Sequence, residues 1–117
     1  MMKSLLAAVL ICLVATSSGA QAFIAGYNIC GKNTAAWRRA HHLAVPDGFA
    51  VAASWLSLPR HGKHAGSVMV VKRPNGRFHV AIVLPNGKCH DPSSRHQGWR
   101  DVDCNLIWRG QWRTFVG

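Results

Sequence analysis

The sequence predicts an α+β domain in which helices come first and a small antiparallel sheet follows. Three observations carry this: apolar residues at helical spacing between Asn33 and Leu56, β-branched runs from Ser67 onward, and two Pro-Asn-Gly turns (Pro74 to Gly76 and Pro85 to Gly87) between those runs. In NTAAWRRAHHL, Asn33 to Leu43, residues Ala36, Trp37, Ala40 and Leu43 share a helical face, Asn33 or Thr34 can cap it, and the start falls near Cys30 or a few residues later. Asp47 precedes GFAVAASWLSL, where Phe49, Ala52, Ala53 and Leu56 share a face until Pro59 closes a second, shorter helix. The basic stretch RHGKHAG, Arg60 to Gly66, reads as a loop. Ser67 to Lys72 and Phe78 to Leu84 read as strands, and Lys88 to His90 as the start of a third. Pro92 to Gly98 is then a polar loop, with Trp99 to Val102, Leu106 to Trp108 and Gln111 to Val116 as short closing strands.

Ahead of this domain, Met1-Met2-Lys3, the apolar run Leu5 to Ala15 and the triplet Ala20-Gln21-Ala22 have the layout of a secretory signal peptide cleaved after Ala22. Export to the periplasm or the outside is therefore expected, with residues 23–117 as a single domain. No later apolar stretch is long enough to span a bilayer.

Fourteen Lys and Arg stand against four acidic residues, all Asp. Outside the cytoplasm such a surface favours peptidoglycan or another anionic envelope polymer, or anionic lipid headgroups, with nucleic acid the less favoured partner. The charge does not distinguish an enzyme from a cationic envelope-binding module, a membrane-active protein or a merely soluble domain, and it says nothing of oligomeric state.

Removing the leader leaves Cys30, Cys89 and Cys104, an odd number for an exported chain. Cys89 and Cys104, 15 positions apart, are the expected disulfide, and closing such a loop contributes ~3 kcal/mol in the chain-entropy model. Cys30 is left as the free thiol. Strand alternation puts His79, Ala81 and Val83 on one face of the Phe78 to Leu84 strand, where the small Ala81 would let a helix start approach. After the Pro85-Asn86-Gly87 turn, a tight hairpin brings His90 near His79; Asp91 takes that place if the register shifts by one. A thiol, a histidine and a second polar group are the parts of a nucleophilic site.

The stretches AGSVMVV and FHVAIVLPNGKCHDPSS resemble part of the NlpC/P60 and CHAP cysteine peptidases, covering Ala65 to Ser94 well and Cys30 to Leu43 more loosely. The resemblance implies a papain-like fold that cleaves amide bonds in peptidoglycan without a cofactor. Cys30 takes the place of the helix-start nucleophile, His79 of the base and His90 of the third polar residue. The chain departs from the family at Asn28-Ile29-Cys30-Gly31, where Asp-Cys-Ser-Gly or Cys-x-Trp is usual, and at Ser67, where an Asp is usual.

For this chemistry the Cys30 backbone N–H would hold the oxyanion, with Tyr27 as a candidate second donor. His41 and His42 are adjacent on a helix and read as a solvated face. His61 and His64 have no acidic or thiol neighbour in sequence, so no metal site is expected. Of the five tryptophans, Trp37 and Trp55 are expected in the core and Trp99, Trp108 and Trp112 half-buried on the sheet.

Overall fold

Val68, Met69, Val70 and Val71 form an unbroken apolar run, and none of them is exposed. An unbroken run suits a strand covered on both faces, and in the computed structural model, which describes residues 22–117, it is one of the inner strands of the sheet. The predicted leader lies, apart from Ala22, outside the described residues. Five antiparallel strands, β1 (Val68–Lys72), β2 (Phe78–Val83), β3 (Cys89–Ser93), β4 (Gly98–Val102) and β5 (Trp112–Val116), are ordered β4-β3-β2-β1-β5. With the one α-helix among the described residues, α1 (Cys30–Ala40), this makes the domain α+β. Among the described residues no helix is long and apolar enough to cross a membrane.

The two Asn-Gly turns are built alike. Asn75 and Asn86 each accept a hydrogen bond on the side-chain oxygen from the amide two residues on, and Gly76 and Gly87 take left-handed φ values of 88° and 85°.

One face of the sheet carries Val68, Val70, Val80 and Val116 against Ala35 of α1 and the fully buried Trp55. The other carries Met69, Val71, Ala81 and Val83 with the Cys89–Cys104 disulfide and Ile107. The disulfide joins β3 to a short 3₁₀ turn, Cys104–Leu106, with a Cα–Cα distance of 4.9 Å.

Several expectations need correction. The helix buries Gly31, Asn33, Thr34, Ala35 and Arg38, not the face of Ala36, Trp37, Ala40 and Leu43. That face is chosen by close approach and by polar groups that find carbonyls. A Cβ on Gly31 would lie 2.1 Å from the Phe49 carbonyl oxygen, while the Arg38 guanidinium donates to the carbonyls of Ala44 (3.0 Å) and Gly66. Trp37 stays half-buried, stacked on His41 at 3.6 Å between ring centres. The helix stops at Ala40 because His42 turns left-handed, with φ 57°. The second helix is 3₁₀, Ala52–Ser57, so Ala52, Trp55 and Leu58 face inward at three-residue spacing and Leu56 is 37 % exposed.

The third strand continues to Ser93, through Pro92, because its pairing with β4 runs from Cys89 to Ser93. Leu106 to Trp108 is a turn and not a strand. Arg113 satisfies this segment's backbone from outside, donating to the carbonyls of Cys104 (2.7 Å) and Trp108 (3.0 Å), so no ladder is needed.

Candidate active site

Pro92 is where the site begins. The Val83 N–H donates to Ser67, so alternation directs the backbone groups of Ile82 and Val80 toward β3, and those of His90 and Pro92 toward β2. Proline has no N–H to give. The β2–β3 ladder accordingly holds only the pairs Ile82 with His90 and Val83 with Cys89, and then opens. Into that opening comes the start of α1. The backbone N–H groups of Val80 and Gly31 favour the charged form of the Cys30 sulfur there.

The approach to Cys30 is clamped by two carboxamides. Asn33, 1 % exposed, accepts from the Ile24 N–H (2.8 Å) and donates to the carbonyls of Ile24 and Ile29 (both 3.0 Å). Gln97 likewise takes the Gly26 N–H (2.8 Å) and donates to its carbonyl (3.0 Å). Helix α1 has no acidic residue in its first turn and no side-chain cap on its first amides, which leaves the positive end of its dipole beside the thiol.

Alternation along β2 puts His79 on the face opposite Val80, so α1 packs on the Val80 face while Cys30 meets His79 through the gap; Ala81 is not where the helix lands. His79 Nε2–H donates to Asp91 Oδ1 at 2.5 Å, which leaves Nδ1 for the thiol. Asp91 is 2 % exposed, and its other oxygen accepts from Arg100 Nε at 3.0 Å. The Trp108 ring lies over the imidazole, 5.5 Å between centres.

Four groups are thus connected in series, and each shifts the next. Burial pushes the Cys30 thiol up, but the hydrogen bond from His79, its charge and the Val80 and Gly31 amides outweigh this and bring it below its usual 9.0. Burial pulls His79 down, and the bonds and charges of Asp91 and Cys30 reverse this and raise it from 6.5 to about 9. Burial also works against the Asp91 carboxylate, which His79 and Arg100 hold below the ordinary value. Both shifts act in the same sense, toward a thiolate at Cys30 and an imidazolium at His79.

The structure brings Cys30, His79 and Asp91 together. It does not bring His90 with them: His90 pairs with Ile82 on the opposite face of the sheet, where it stacks on Trp99 at 4.0 Å and donates from Nδ1 to Asp101 at 2.5 Å. The side chain diagonal to His79 on its own face belongs to Asp91, the rival named from register. Tyr27 is 89 % exposed and does not line the cleft at Cys30; Asn28 does. His61 and His64 meet edge to face at 5.0 Å, with no set of three metal-binding side chains among the described residues.

Arg100 and Trp108 escaped the sequence reading. Arg100 lies opposite Asp91 across β3 and β4, a pairing visible only once the register is known. Trp108 is positioned by the disulfide and Arg113.

Two clefts meet at Cys30. One, of about 460 Å³, is walled by His79, Asp91, Ser93 and Trp108 and rimmed by arginines. The other, about 450 Å³, is lined by Ala50, Val51, Ala52, Ala53 and Phe78. A nucleophile between two clefts can hold the two halves of an extended substrate. No protein-family model, curated protein or solved structure matches the chain.

Proposed function

We propose that the protein is a thiol hydrolase that cleaves an amide bond, with Cys30 as nucleophile, His79 as acid and base, and Asp91 as the group that orients His79. The reading rests on one observation: a free thiol at a helix start is connected through His79 to a buried Asp91 and on to Arg100, at the junction of two clefts. A buried inert thiol has no need of such a series.

The steps follow from the geometry. The Cys30 thiolate attacks the amide carbonyl carbon, and the Cys30 backbone N–H at the start of α1 donates to the developing oxyanion. As the C–N bond breaks, the proton on His79 Nδ1 passes to the leaving nitrogen and a thioester remains on Cys30. Neutral His79 then takes a proton from water, whose oxygen attacks the thioester. Loss of the C–S bond releases the acid and restores thiolate and imidazolium. Asp91 keeps its charge throughout and holds the ring so that Nδ1 faces the sulfur.

The resemblance of Ala65 to Ser94 to NlpC/P60 and CHAP peptidases supports a papain-like arrangement and a peptide of the cell wall as substrate, and the disulfide suits an oxidising compartment outside the cytoplasm. The cationic surface supports an anionic envelope polymer as the partner.

The decisive experiment is digestion of purified peptidoglycan, with new amino groups counted and products identified by mass spectrometry. Wild-type protein is expected to release amines and the Cys30→Ser variant to fall to background. Equal release by the two would remove the enzyme reading and leave a cationic binding module of the envelope.

A further inference from the structure

The cleft walled by His79 has an unusual charge balance. Arg73, Arg77, Arg95, Arg100 and Arg109 all line it, and Asp91 is its single carboxylate. Asp91 is already committed to His79 and Arg100. Arg73 lies over the Trp108 ring at 4.1 Å, and among the described residues Arg73, Arg77, Arg95 and Arg109 have no ion-pair partner. The second cleft differs: beside small apolar residues it has one charged side chain, Arg77.

The position of the acid tells which half of a substrate meets which cleft. A general acid must reach the leaving nitrogen, and His79 lines the arginine-rich cleft but not the apolar one. The amine half therefore departs through the arginine-rich side, and the acyl half lies toward Ala50 to Ala53. Converging guanidinium groups recognise carboxylates through paired, charge-assisted hydrogen bonds. Resting on the amide-hydrolase reading, we propose that the half of the substrate that leaves as the amine carries a carboxylate, held by the arginines of the His79-side cleft.

The test reads Cys30 itself and needs no turnover. Native wild-type protein is treated with iodoacetamide at neutral pH, alkylation of Cys30 is followed by mass spectrometry, and two dipeptides with free amino termini compete as mimics of the leaving half: Ala-Glu, with two carboxylates, and Ala-Gln-amide, with none. Ala-Glu is expected to protect at roughly tenfold lower concentration, an advantage that shrinks as salt rises. In an Arg95→Gln/Arg109→Gln variant, whose replaced side chains are both exposed, the advantage is expected to disappear. Equal protection by the two dipeptides, no protection by either, or an advantage unchanged in the variant would each overturn the proposal. Because alkylation does not depend on cleavage, failure here is separate from failure of the peptidoglycan digestion.

Discussion

Replacing Asp91 by Asn removes the negative charge that keeps His79 protonated while leaving a side chain of nearly the same shape. The rise of His79 from 6.5 to about 9, at 1.36 kcal/mol per pH unit, corresponds to about 3 kcal/mol of preference for the imidazolium in the folded protein. Asp91 supplies part of this through a 2.5 Å hydrogen bond made inside the protein, and a hydrogen bond to a charged group is worth ~1.5–3 kcal/mol. Asp91→Asn should therefore lower the His79 midpoint by ~1–2 pH units, to ~7–8. Arg100, 41 % exposed at its side chain, can turn to water when its partner is neutralised, so the fold should tolerate the change. The assay is a ¹H–¹⁵N NMR titration of the imidazole, with the alkaline limb of the hydrolysis profile as a second readout. The sign for stability is also fixed. A histidine raised on folding stabilises fully below pH 6.5, and this contribution fades as pH climbs through about 9. Cys30, lowered below 9.0, acts in the opposite sense over the upper part of that interval, because the unfolded thiol keeps a proton that the folded thiolate has lost, so the histidine's contribution is read from its own titration and not from overall stability. A wild-type midpoint near 6.5, or a change of less than ~0.3 unit on substitution, would refute the reasoning.

Two further outcomes follow from the frame around the site. Replacing both Cys89 and Cys104 by Ser opens a 15-residue loop and should cost ~3 kcal/mol, a fall of ~12–20 °C in Tm by calorimetry; a fall of only ~2 °C would show that the loop is held by other contacts such as those of Arg113. Gly31→Ala puts a methyl group 2.1 Å from the Phe49 carbonyl oxygen and 3.1 Å from Ala50 backbone atoms, so the variant should lose at least ~2 kcal/mol in urea denaturation, and a loss below ~0.5 kcal/mol would mean that this close contact is dispensable.

The flanks of Cys30 acquire a meaning from this. Gly31, with no side chain, allows the helix start to press on the Phe49–Ala50 backbone, where the Phe49 carbonyl also accepts from Trp55 Nε1 at 3.0 Å. Asn33, read from sequence as a helix cap, is instead buried in the first turn as the clamp on the Ile24 to Ile29 segment. Gly31 answers to a later segment of the chain, and Asn33 to the segment just ahead of its own helix.

What the sequence determined by itself was the part of the molecule governed by neighbours along the chain. β-branched runs and the two Asn-Gly turns between them dictate the meander, because strand propensity and turn geometry are local properties. The odd count of thiols and the spacing of Cys89 and Cys104 singled out the pair that forms the disulfide and the cysteine that stays free. Tertiary structure alone decided the register. Side chains one position apart on a strand face opposite ways, so whether His90 or Asp91 meets His79 depended on a single step of β3 against β2. It also decided which face α1 buries, since the groups that fill that face, Gly31, Asn33 and Arg38, are held by carbonyls remote in sequence or by close backbone contact. The opening that admits Cys30 needed both: a proline legible at position 92, and a ladder whose pairing shows that its missing N–H falls opposite Val80.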